Sequence, residues 1–147
     1  MSSGPVLICY DGSENARDAI AAAAQLLLER RATVLSVGEP PVVAESYAVP
    51  TAPDVLELDE LVSEAALARA EEGARLANDA GFVADARADV EAPTWRGVVE
   101  IADEIDATAI VVGSRGLSGL RELLEGSLSR ELTEHARRPV LIVPPPE

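Results

Sequence analysis

The chain contains no lysine: its 12 basic side chains are all arginine, set against 26 Asp and Glu for a formal charge of −14. Without lysine there is no Schiff-base amine and no P-loop lysine to follow a transferred phosphate. Histidine and cysteine occur once each, at His135 and Cys9. A histidine-based metal site or a Cys–His pair would therefore have to be assembled from single copies far apart in sequence, and Cys9 has no partner for an internal disulfide. Aromatic residues make up only 3% of the 147 residues while hydrophobic residues make up 48%, so the core must be built from Ala, Val, Leu and Ile. No apolar run approaches membrane-spanning length, and the N-terminus lacks the basic and apolar regions of a signal peptide, so a cytoplasmic location is expected. The negative charge argues against nonspecific binding to nucleic acid or to an anionic membrane, which is done by clusters of Lys and Arg.

Among the residues that are present, the run Gly113 to Ser129, GSRGLSGLRELLEGSLS, carries the most information. It spaces glycines at Gly113, Gly116 and Gly126 and follows the last with the hydroxyls of Ser127 and Ser129. Thr108-Ala109-Ile110-Val111-Val112 before it reads as a buried strand, and Leu124, Leu128, Leu132 and Ala136 after it form the apolar stripe of a helix whose first turn begins near Gly126-Ser127. A strand, a glycine loop and a helix N-terminus together make an anion site, because the first N–H groups of the helix have no acceptor within it and the helix dipole is positive there. Turn formation and helix packing account for one or two of these glycines, but less well for all three with both serines.

The rest of the chain alternates strand and helix. Val6 to Tyr10 reads as a first buried strand and Ala16 to Leu28 as an alanine-rich helix, capped by Asp11 (with Glu14 completing a capping box) or by Ser13. Ala32 to Val37 follows as a strand and Glu57 to Ala80 as a long helix. Phe82 to Val90 places Phe82, Ala84, Ala86, Ala88 and Val90 on one face and Asp85, Arg87 and Asp89 on the other, the pattern of a charged edge strand. A helix with Trp95, Val98, Ala102 and Ile105 on one stripe precedes the glycine run, and Val140 to Val143 is a last strand bounded by prolines. Strands separated by helices imply one α/β domain over residues 1–147, a parallel sheet with helices on both faces. Residues 38–56, with Pro40, Pro41, Pro50 and Pro53, form the one long connection, read either as a functional lid or as a mobile surface loop. Cys9 is expected to pack in the core, and His135 to sit near the end of the last helix, where a cation suits the dipole.

Three segments, taken in order, resemble the universal stress protein family in its ATP-binding subgroup: Val6-Leu7-Ile8-Cys9-Tyr10-Asp11-Gly12-Ser13-Glu14, the spacing Gly113-x2-Gly116-x9-Gly126-Ser127, and His135 to Val143. The resemblance implies an open five-stranded parallel sheet in the order 3-2-1-4-5, Rossmann-like and akin to the adenine nucleotide alpha hydrolases, with a ligand crevice where the strand order reverses. It implies that Asp11 lies beside the nucleoside and that Val37 offers backbone to the adenine edge. Gly113 and Gly116 would shape the loop against ribose and phosphates, while Gly126, Ser127, the N–H of Leu128 and the hydroxyl of Ser129 hold the phosphates. Arg115 either neutralises phosphate charge or faces solvent. ATP would be the ligand, with Mg²⁺ or Mn²⁺ carried on its phosphates and Asp11 the best single candidate for a protein contact to the cation.

Two positions depart from the family pattern: Glu125 stands where an apolar residue is usual, and Glu91-Ala92-Pro93 replaces Gly-x-Pro. Neither a catalytic base nor an arginine finger can be identified from spacing, so the expectation is a nucleotide-dependent regulator in a stress response with at most slow ATP hydrolysis, and no catalytic or metal-ligating residues are assigned. The alternative is a ligand-free dimeric interaction module of the same fold. A nucleotide-activating enzyme is disfavoured, since Asp11-Gly12-Ser13-Glu14 is neither a Ser-Gly-Gly-x-x-Ser loop nor a His-x-Gly-His motif. Val140 to Val143 is apolar on both faces, so a homodimer joined through that strand is expected, with an unidentified protein partner.

Overall fold

The computed structural model describes residues 3–38, 53–91, 93–114 and 127–146. In chain order its elements are β1 (Val6–Cys9), α1 (Glu14–Leu26), β2 (Arg31–Gly38), α2 (Pro53–Asp79), β3 (Val83–Val90), α3 (Thr94–Glu104), β4 (Ala109–Gly113), α4 (Ser127–His135) and β5 (Val140–Val143). The five strands form one sheet in the order β3-β2-β1-β4-β5, with every neighbouring pair parallel. Strand order, strand direction and the edge position of the charged strand β3 are therefore as the sequence leads one to expect.

The alternation of side chains along the strands divides the core in two. Val6, Ile8, Val34 and Val111 pack toward Ala16, Ala19, Ile20 and Ala23 of α1 and Ala74 and Ala77 of α2. Leu7, Leu35, Ile110 and Val112 pack the other way, against Val98, Ile101 and Ala102 of α3 and Leu132 of α4. Alanine on the buried stripe of α1 brings that helix close to the sheet, which is how a core with almost no aromatics reaches protein density. Trp95 stacks on His135 with ring centroids 4.3 Å apart, joining α3 to α4, and the imidazole also reaches Glu131 at 3.2 Å.

The ends of the elements differ in detail from the pattern in the sequence. Helix α1 starts two residues early because the Ser13 hydroxyl accepts the Ala16 N–H at 3.1 Å. Ser13 is thus the cap; Asp11 instead accepts the Ser13 N–H at 2.8 Å, a turn one step upstream. The helix stops at Leu26, because Leu27 turns extended toward β2, leaving Leu28 almost fully exposed. Helix α2 starts at Pro53, inside the segment expected to be loop; residues 39–52 lie outside the described residues.

At 27 residues α2 is about 40 Å long, whereas the eight residues of β2 span about 26 Å. The helix therefore overhangs the sheet, and Val62 meets Gly38 at the very end of β2. Among the described residues no helix is long and apolar enough to cross a membrane.

Candidate functional site

The strand order reverses between β1 and β4, so the connection leaving β1 turns one way and that leaving β4 the other, opening a crevice at the carboxyl end of the sheet. Strand β1 stops short there. Its last ladder partners are Cys9↔Leu35 on one side and Ile8↔Val111 on the other, while β2 runs on to Gly38 and β4 to Gly113.

The backbone directions follow from the hydrogen bonds. Tyr10 N–H donates to the Leu35 carbonyl, so Leu35 turns its polar groups toward β1 and, two residues on, Val37 turns its own toward the space past the end of β1. In β4, Ile110 and Ser114 direct their N–H groups to β5, so Gly113 between them faces the β1 side. Asp11, Val37 and Gly113 are thereby brought to one place from three adjacent strands.

Around this place the local structure is tightly tied. The Asn15 side chain is buried and donates to the Val143 carbonyl at 3.1 Å, and Ser114 N–H donates to the same oxygen at 2.9 Å. One carbonyl at the end of β5 thus pins the start of α1 and the end of β4. A Cβ at Gly113 would stand 2.7 Å from Asn15 Oδ1, so Gly113 has a packing reason to be glycine. Gly12, at φ +86°, makes the turn from Asp11 into α1.

The face toward α2 is polar at this level. The buried Tyr10 hydroxyl donates to Glu72 Oε1 at 2.8 Å, and Arg17 pairs with the same oxygen at 3.2 Å. Burial, and then the bond to Glu72, raise the Tyr10 hydroxyl above its ordinary value; the Tyr10 hydroxyl, and then Arg17, lower Glu72 below its own. Arg69 Nε donates to the buried Ser36 hydroxyl at 3.2 Å. On the other face, Cys9 and Val37 pack against the α3/α4 side of the core. Burial, and then the Asp11 charge, push the half-buried Cys9 thiol up to about 12, so it stays protonated and unreactive at neutral pH.

Helix α4 runs antiparallel to the strands it connects, so its first turn, from Ser127, lies toward the carboxyl edge of the sheet. Leu128 is half-buried against the α3/α4 side of the core, which orients the helix, and Ser129 is buried. Arg115, Gly116 and Gly126 fall outside the described residues, as does the side chain of Ser127. Two groups of possible metal ligands occur among the described residues, Asp89/Glu91/Glu100 and Glu131/Glu134/His135. The first adjoins edge strand β3 and the second lies along α4 to its last residue, so neither includes Asp11, the carboxylate at the crevice.

Asn15, Ser36 and Arg69 are the crevice residues that sequence reasoning passed over. Asn15 and Ser36 left a signal: each is a polar residue on a stripe or strand that is otherwise small or apolar, a pattern that asks for a specific hydrogen bond.

The sequence profile of the universal stress protein family matches residues 3–144. The universal stress protein YxiE of Bacillus subtilis is 34% identical over 149 residues, covering 94% of this chain and 97% of that protein. A universal stress protein solved in complex with cAMP is 28% identical, with a TM-score of 0.65 over 97% of this chain and 98% of the other. The universal stress protein of Archaeoglobus fulgidus solved in complex with dAMP shares the fold at 23% identity, with a TM-score of 0.60 over 97% and 99% of the two chains. With a matching profile, a relative matched over nearly its whole length and the 3-2-1-4-5 sheet all in agreement, the chain belongs to the universal stress protein family.

Proposed function

We propose that this chain is a nucleotide-dependent regulatory protein that binds ATP in the crevice above β1, with Mg²⁺ carried on the phosphates. The observation that carries this reading is the convergence of Asp11, Val37 and Gly113 past the end of β1, with the N-terminus of α4 toward the same edge. Asp11 and the backbone of Val37 would hold the nucleoside. Gly116, Gly126, Ser127, the N–H of Leu128 and Ser129 would hold the phosphates, in the manner of a helix N-terminus, with Arg115 supplying charge. Relatives solved with cAMP and with dAMP support an adenine nucleotide as the ligand class.

The donor set fits a metal held mainly by the ligand. A divalent cation on ATP keeps several waters and needs one or two protein carboxylates, and among the described residues Asp11 is the one at this crevice. When bound, it would screen the phosphate charge in a protein of charge −14. No general base is assigned, and the reading is of a binding protein with at most slow turnover.

The test is calorimetric titration of the wild type and Gly126→Val with ATP and Mg²⁺. Saturable heat from the wild type, with affinity reduced at least about tenfold in the variant, is expected from the loss of close approach to the phosphate. No heat from the wild type, or equal affinities, sinks the site.

We further propose a homodimer joined through β5. This strand forms one edge of the sheet, and its Ile142 is 38% exposed while carrying no charge to discourage pairing. A monomeric mass by light scattering at micromolar concentration contradicts it.

A further inference from the structure

We propose that Arg69 is a nucleotide-binding residue whose guanidinium covers the purine and ribose end of the ligand. This rests on the adenine-nucleotide reading above. Arg69 lies on α2 between Ala66 and Ala70, both fully buried, so its stem emerges where the helix backbone is pressed on the sheet. From there the side chain crosses the top of β2: its Nε donates to Ser36 Oγ at 3.2 Å, and its Cδ stands 3.7 Å from where a Cβ on Gly12 would be. Ser36 immediately precedes Val37, and Gly12 immediately follows Asp11. The arginine thus bridges the neighbours of the two positions assigned to the nucleoside, approaching from the α2 side while the phosphates lie toward α4.

Its electrostatic setting differs from that of the arginines held in ion pairs. Arg17, Arg31, Arg87 and Arg138 each pair with a carboxylate, whereas Arg69 bonds a neutral hydroxyl and forms no ion pair among the described residues. The bond at Nε fixes the plane of the guanidinium and leaves the donors on Nη1 and Nη2 beyond it. A flat cation held edge-on in this way suits the π-face of a purine, with those donors placed to reach a ring nitrogen or a ribose hydroxyl. The hydroxyl of Ser36 is therefore a positioning group for the arginine.

A contact to the nucleoside predicts a pattern that a phosphate contact does not. In calorimetric titrations with adenosine and with AMP, Arg69→Met weakens both by the same factor, about tenfold. Arg69→Lys, which keeps the stem and the charge but not the plane, remains several-fold weaker than wild type for both ligands, and it carries the test if the methionine variant fails to fold. Ser36→Ala gives a smaller loss of the same kind. Unchanged affinities in both Arg69 variants overturn the assignment while leaving the nucleotide reading intact. A loss confined to AMP moves Arg69 to the phosphate and overturns it equally. Failure of the wild type to bind either ligand removes both readings together.

Discussion

The two faces of the sheet are built from alternate residues of the same strands, yet at the crevice they end differently. Toward α1 and α2 the last layer is polar: Asn15 on the Val143 carbonyl, Ser36 under Arg69, and the Tyr10 hydroxyl on Glu72. Toward α3 and α4 the same level is apolar, with Cys9, Val37 and Leu128 packed on the core. Hydrogen bonds are directional and buried ones are costly to leave unmade, so the first face fixes where Asp11 and Gly113 stand. Burial of apolar area is not directional, so the second face supplies stability without setting that geometry. At the crevice the first face thus does the positioning, while below that level both faces bury an apolar core.

If this division is right, truncating a side chain in the buried core should cost more stability than any change at the crevice. Leu132→Ala removes a side chain with no exposed surface and is expected to lower the unfolding free energy by about 2–5 kcal/mol in a denaturant titration. A loss below about 1 kcal/mol would mean that Leu132 does not anchor α4 on the sheet.

On the polar face the effects should be smaller but coupled. Gly113→Ala places a Cβ 2.7 Å from Asn15 Oδ1, an overlap expected to cost about 1–3 kcal/mol. Asn15→Ala removes one of the two donors on the Val143 carbonyl, at a cost of about 1 kcal/mol. Because the two closest contacts in the first penalty come from the Asn15 side chain, the double variant should be more stable than the sum of the singles implies. Additivity would show that Gly113 and Asn15 do not constrain each other.

The smallest effect concerns pH. Glu72 titrates below its ordinary value of 4.5, because the Tyr10 hydroxyl and then Arg17 favour its charged form. A carboxylate with a lowered folded-state pKa contributes stability in full above its unfolded value and loses it as the pH falls through the folded one. Wild type should therefore lose more stability than Glu72→Gln between pH 5 and lower pH, measured as the difference in thermal midpoint. Parallel acid profiles would remove Glu72 from the network that holds Tyr10.

Much of this was legible in the sequence. The alternation of apolar strands with helical stripes led to the nine elements seen among the described residues, and the charges of Asp85, Arg87 and Asp89 led to β3 as an edge. The strand order came through the resemblance of three motifs, since spacing alone does not order parallel strands. What stayed hidden is what depends on distance across the fold. Gly113 reads as a loop glycine until Asn15, 98 positions earlier, is seen against it. Arg69 reads as a surface charge on a helix until its Nε is seen on the Ser36 hydroxyl of β2. The choice between Asp11 and Ser13 as cap was open because both have the right chemistry, and the start of α1 decides it in favour of Ser13.

The central claim, a nucleotide seated above β1, is tested most directly by amide chemical-shift mapping during titration with ATP and Mg²⁺. The account predicts saturable shifts concentrated at residues 11–15, 36–38, 113–116 and 126–129, three adjacent strand ends and the first turn of α4. Saturable shifts confined to the opposite edge of the sheet, around Leu28 and Val83, or no saturable shifts at all, would contradict it.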